Sequence, residues 1–167
     1  MKKNAGLWLA HLTISISLAL SAQVEAAWNA DWTAQQDIKL DTAAVPAAVN
    51  QVPVLVRLHS GNFDFTSAKV DGSDLRFIAA DDKTELKFFL EKYDAVNELA
   101  IAWVLLPQLS AANKDLSIHL YAGNESANPA SDSTAVQDPA LLARFAFSAA
   151  ALLKDSGPNQ LQATGNA

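Results

Sequence analysis

The chain contains no cysteine. That excludes disulfide cross-links, a thiol nucleophile and cysteine-held metal centres. Histidine is nearly as scarce: His11, His59 and His119 are far apart, too dispersed for a zinc site. There is no Gly-x-Ser-x-Gly turn. A nucleophilic triad would have to be assembled from His59, Ser60 and an aspartate; the simpler reading makes His59 a polar strand end and His119 an outward-facing strand residue. Cations are also few, 12 against 18 acids, for a formal charge of −6. Phosphate-rich partners require clustered Lys and Arg, so nucleic acid and anionic membrane surfaces are poor candidates. Beyond the N-terminus no segment is long and apolar enough to span a bilayer.

At the start, Lys2 and Lys3 precede an apolar stretch over residues 5–20 that His11, Thr13, Ser15 and Ser17 soften, and Val24-Glu25-Ala26 supplies a small-x-small site. This layout predicts a secretory signal peptide over residues 1–26, cut after Ala26, with Ala22 and Ala27 as alternatives. Cleavage removes Lys2, Lys3 and Glu25, leaving 10 basic and 17 acidic residues. The expected location is therefore outside the cytoplasm, in the periplasm of a Gram-negative bacterium or on its surface. Without disulfides, an exported domain must be held by core burial, and the mature length suffices for one sizeable core.

Alternation and turn residues predict the architecture. Residues 37–41 place Ile38 and Leu40 on one face, 53–58 form a short core strand with Pro53 at its start, and 75–79 follow. Residues 85–91 put Leu86, Phe88 and Leu90 together; 98–106 are the most apolar strand, with Pro107 expected to end it; 116–121 group Leu116, Ile118 and Leu120. Asp71-Gly72, Asp81-Asp82 and Gly123-Asn124 are turn punctuation. Strands about ten residues apart predict an all-β fold, an antiparallel β-sandwich of jelly-roll type, over 27–123. Residues 124–139 are small, polar and contain two prolines, which predicts a linker. Residues 140–167 hold one more apolar strand and a turn, the start of a further domain of a longer protein.

The densest signal lies in Asn62-Phe63-Asp64-Phe65 and Asp71-Gly72-Ser73-Asp74-Leu75-Arg76-Phe77. Phe63 and Phe65 share a face and are expected to tuck their segment onto the sandwich. Arg76 is expected to pair with Asp74 or Asp71 and fix the loop. Asp64, Asp71 and Asp74 are calcium candidates in a stretch that also holds Asp81 and Asp82, since carboxylates and loop carbonyls suit that ion; the alternative is turn and capping work, with no cofactor. Glu85, Glu91 or Glu98 could form a glycosidase pair. Trp28 or Trp32, if exposed, could stack on a sugar, whereas Trp103 is expected in the core.

These motifs, with Pro53-Val54-Leu55-Val56-Arg57-Leu58, Trp103-Val104, Pro107 and Tyr121-Ala122-Gly123-Asn124, resemble the family called domain of unknown function 2341 over residues 28–127. The family usually has a second tyrosine where Ala122 stands, and it brings no established catalytic residues. Residues 141–147 and Asp155-Ser156-Gly157-Pro158-Asn159 are similar to the opening of a concanavalin/laminin-G-like jelly roll. The resemblance implies chains that sometimes continue into a TolQ/ExbB/MotA-type proton channel. The leading expectation is a non-enzymatic module that binds a glycan or an envelope protein. The alternatives are an accessory domain of such a transport complex and, third, a glycoside hydrolase.

Overall fold

The computed structural model describes residues 28–110, 116–137, 142–145, 152–157 and 159–164. The predicted signal peptide lies outside them. Among the described residues no helix is long and apolar enough to cross a membrane.

Among the described residues seven strands form two antiparallel sheets: β1 (Ala34–Lys39), β2 (Val49–His59), β3 (Arg76–Ala79), β4 (Glu85–Leu86), β5 (Phe88–Asp94), β6 (Leu99–Leu109) and β7 (Ser117–Ala122). One sheet has the order β1-β7-β3-β4, the other β2-β6-β5. The predicted all-β sandwich is thus observed. The core lies between the sheets: Val56 and Leu58 of β2, Phe88 of β5 and the inward row Ala100, Ala102, Val104 and Leu106 of β6 meet Phe77, Leu86, Ile118 and Leu120 of the other sheet. Phe77 and Phe88 contact edge-on at 5.2 Å. Each large apolar side chain buried this way contributes about 1.5–3 kcal/mol.

Alternation located the inward rows, but three expectations need correction. First, the single strand read over 85–91 is two. The chain leaves one sheet after Leu86 and enters the other at Phe88, and the Lys87 carbonyl between them still accepts from the Leu105 amide at 2.9 Å. Second, Pro107 does not end β6, which runs on to Leu109. The register passes from Asn50–Gln108 to Val52–Leu106, and Gln51, skipped in this ladder, has φ +54. The Leu105 amide points away from β2, to the Lys87 carbonyl, so the nitrogen of Pro107, two residues on, lies on that same side past the end of the β5 ladder, where no bond is lost. Third, Trp103 is not in the core. It belongs to the outward row of β6, half-buried, and its Nε1 donates to Glu91 Oε2 at 2.6 Å. Both rows of β6 are apolar, so composition could not reveal the phase.

Residues 124–137, expected as a linker, lie along the sandwich. The Asp132 amide donates to the Phe88 carbonyl at 2.9 Å, Ser131 Oγ accepts from the Leu90 amide at 2.8 Å, and Ala127 and Val136 are buried. Beyond them, isolated bridges join Phe145 to Asp155 and Lys154 to Gln162.

Candidate functional site

The two halves of the central motif fold differently. Asn62 closes the turn after β2: its Oδ1 accepts from the His59 amide at 2.8 Å and its Nδ2 donates to the Arg57 carbonyl at 3.0 Å. Phe63 and Phe65 are buried and meet edge-on at 5.0 Å, as expected. Asp64 caps the short 3-10 turn Phe65–Ser67 by accepting from the Thr66 amide and hydroxyl at 2.9 and 2.6 Å, which holds its carboxyl below the usual range. Asp71 is exposed and accepts from the Ser73 amide at 3.0 Å; the nearby Ser73 hydroxyl and this amide bond lower its pKa too. Gly72, at φ +67, lies under the Tyr93 ring so closely that a Cβ would stand 2.7 Å from it. Burial, aided by Asp74 and Asp71, pushes the Tyr93 phenol up to about 12.

Asp74 works at longer range. It is fully buried, and its carboxylate accepts from the Lys69 amide at 2.9 Å, the Gly123 amide at 2.6 Å and the Asn124 amide at 3.3 Å. The Asp-Gly-Ser-Asp and Gly-Asn motifs, about fifty residues apart, are thereby tied together. Gly123 has φ +87, and a Cβ there would stand 2.3 Å from Thr33 Oγ1, so glycine is required on both counts.

Arg76 does not make the expected ion pair with Asp74 or Asp71. It pairs with Glu85 at 3.4 Å, while its terminal nitrogens donate to the carbonyls of Ser73 (3.2 Å), Leu75 (2.7 Å) and Asn128 (2.6 Å). Three backbone amides already occupy the Asp74 carboxylate, so the guanidinium turns the other way. Its carbon sits 5.3 Å from the Trp32 ring centroid. Burial lowers its pKa, opposed by Glu85 and Asp74.

Around Arg76 lies a shallow groove of about 590 Å³, walled by Asn29, Asp31 and Trp32 on one side and by Asn124, Ser126 and Asn128 on the other. Trp32 is fixed by a 2.7 Å hydrogen bond from Nε1 to the Asp74 carbonyl and by Trp28, whose ring is 5.0 Å away. Trp28 in turn packs on Tyr121 at 5.6 Å, and the Tyr121 hydroxyl donates to Asp82 at 2.6 Å. The two tryptophans are half-buried rather than freely exposed. Around the groove, the side chains of Asp31, Ser126 and Asn128 make no hydrogen bond to the described residues, whereas every guanidinium nitrogen of Arg76 is engaged. The groove therefore offers neutral donors, one carboxylate and the part of the Trp32 indole that Arg76 and Trp28 leave uncovered, but no open cation.

The other candidates are dispersed. Among the described residues no three His, Asp or Glu side chains are placed to hold a metal ion; Asp64, Asp71 and Asp74 each serve a separate backbone site. His59 Nδ1 accepts from the Gly61 amide at 3.1 Å, a turn contact rather than a triad. His119 faces outward and pairs with Asp37 at 2.7 Å. Glu85 and Glu91 stand in different sheets, each beside an arginine, Arg76 and Arg144, and Glu98 occupies the turn before β6 with φ +50. Sequence reasoning singled out Trp32 and Arg76 but missed Asn29, Asp31, Ser126 and Asn128; nothing in their spacing announces that they meet.

Residues 71–149 match the model of a family described as Domain of unknown function (DUF2341). The match takes in Asp74, Arg76 and the Gly123-Asn124 pair, and it extends through the segment at Arg144. No curated protein and no solved structure matches the chain.

Proposed function

We propose that this is an exported, periplasmic β-sandwich module that binds a glycan without chemically altering it. The groove beside Trp32 carries this reading. Sugars present hydroxyls that pair with amides, hydroxyls and carboxylates, and C–H faces that pack on an indole ring. Asn29, Asp31, Ser126 and Asn128 supply the first, and Trp32 the second. Arg76 is paired with Glu85 and has three of its donors held by carbonyls, which disfavours phosphate or sulfate esters. The separated, arginine-paired carboxylates likewise favour binding over hydrolysis.

A glycan array probed with the whole chain tests this. Neutral or amino-sugar oligosaccharides should bind. Asp31→Ala and Asn128→Ala, both exposed positions, should weaken binding roughly tenfold or more, in line with losing one well-placed hydrogen bond to a charged or amide group. Absence of any sugar hit, or hits that survive both substitutions and Trp32→Ala, would remove the reading.

A further inference from the structure

The two long sides of the sandwich are finished differently. On one side β4 and β5 are almost continuous through Lys87, and residues 131–132 bond along β5. On the other side β1 and β2 are, among the described residues, the terminal strands of their sheets. Between them runs a groove of about 330 Å³ to which both strands contribute. Its floor is apolar: Val56 and Leu58 are buried, Ile38 and Leu40 pack on the core yet stay partly open, and Leu55 at the rim is 50% exposed. One side-chain bond crosses near its end, from Gln36 Nε2 to the Asn62 carbonyl at 2.6 Å.

Two cations overlook this seam. Lys39 and Arg57 are exposed and line it, and neither has an ion-pair partner among the described residues. In a chain of formal charge −6, two such cations on one groove favour an acidic partner there. The nearby Asp37 is engaged with His119. An open strand edge displays a row of backbone donors and acceptors that an extended peptide can pair with. Toward its start β2 is guarded by Pro53 and the irregular Gln51, and toward its end Asn62 Nδ2 already holds the Arg57 carbonyl, so the free edge within Val54–Leu58 centres on Leu55. A second copy added edge to edge would bring Lys39 and Arg57 toward their own equivalents, which opposes self-pairing.

We propose that this seam receives an extended acidic segment of a protein partner, which adds as a strand to β2 over residues 54–58. On such a strand the side chains turned inward are apolar and fill the space against Ile38 and Leu40, while those turned outward carry carboxylates that meet Arg57 beside Leu55, with Lys39 across the groove adding to the attraction. The site is separate from the Trp32 groove and shares no residue with it.

The probe is a capped hexapeptide of alternating valine and glutamate, titrated into the whole chain by fluorescence anisotropy and compared with the valine–lysine version. The acidic peptide should bind, more weakly as salt rises, and should slow amide exchange at residues 54–58. The lysine peptide should not bind. Lys39→Glu with Arg57→Glu should lower affinity by roughly tenfold or more without moving the thermal midpoint, while Asp31→Ala with Asn128→Ala should leave peptide binding unchanged. The proposal is overturned if the acidic peptide does not bind, if both peptides bind alike, if protection appears elsewhere, or if the chain dimerises through residues 54–58 without peptide.

Discussion

Two buried aspartates do the same local job in two regions with very different surroundings. Asp74 accepts from the amides of Lys69, Gly123 and Asn124. Asp155 accepts from those of Arg144 and Gly157, both at 2.6 Å, and Leu161 at 3.0 Å. Each is a carboxylate clasp on three backbone donors. Around Asp74 the clasp joins segments 49 and 50 residues apart, and its neighbours Leu75 and Phe77 are fully buried. Around Asp155 the partners are 11, 2 and 6 residues away, while Leu142, Leu152, Leu153 and Leu161 are exposed by 79, 57, 41 and 50%. The clasp sets a conformation in both places. Only in the first does it close a topology over a hydrophobic core, which supplies the bulk of the stability.

Among the described residues beyond 137, Arg144 and Ser156 reach back to the earlier part of the chain through polar groups. Arg144 lies 4.8 Å from the Phe89 ring centroid and 3.1 Å from Glu91, whose carboxylate also receives Trp103 Nε1. Gln137 Nε2 donates to the Ser156 carbonyl at 2.5 Å.

Breaking the clasps separates the two regions. The largest effect belongs to Asp74→Ala, which strands three backbone amides beside the core. It should lower global stability by roughly 3–5 kcal/mol in urea unfolding. A loss below about 1 kcal/mol would show that the clasp is incidental. Next, Asp155→Ala should leave that urea transition in place and speed amide exchange only at Arg144, Gly157 and Leu161. Acid should mimic it. Chiefly the Arg144 amide bond, then those of Leu161 and Gly157, hold the Asp155 carboxyl below its usual 3.8, against the opposing effect of burial. A depressed native pKa means that the clasp's contribution is complete above about 3.8 and is lost as pH falls further; exchange at those amides should rise only below that point. If exchange accelerates between pH 5 and 7, another group governs the region. The smallest effect is Glu91→Gln, which removes a partly exposed ion pair worth less than about 1 kcal/mol. It should loosen the 142–145 segment in exchange measurements while the unfolding midpoint of the sandwich stays put.

Much of the fold was legible because sandwich strands alternate with period two. Ile118 and Leu120 face the core and His119 faces out, as their spacing required. Legibility failed where both faces of a strand are apolar, as at Trp103, and where a strand changes sheets in mid-run, as at Lys87. It failed again for polar pairing. Asp71 and Asp74 look equivalent beside Arg76, yet one makes an exposed turn and the other a buried clasp, because only Asp74 has Gly123 and Asn124 brought against it.

The sequence by itself determined what short-range chemistry controls: the absence of disulfides, the acidic balance, the strand periods, and the turns at Asp-Gly and Gly-Asn. The tertiary structure decided what depends on long-range packing. It assigned Arg76 to Glu85 and three carbonyls, gathered Asn29, Asp31 and Asn128 around Trp32, and made β1 and β2 the terminal strands of their sheets among the described residues. Those outcomes join residues tens of positions apart, and the affinity of any one such pair is too small to be read until burial of the shared core has fixed which segments meet.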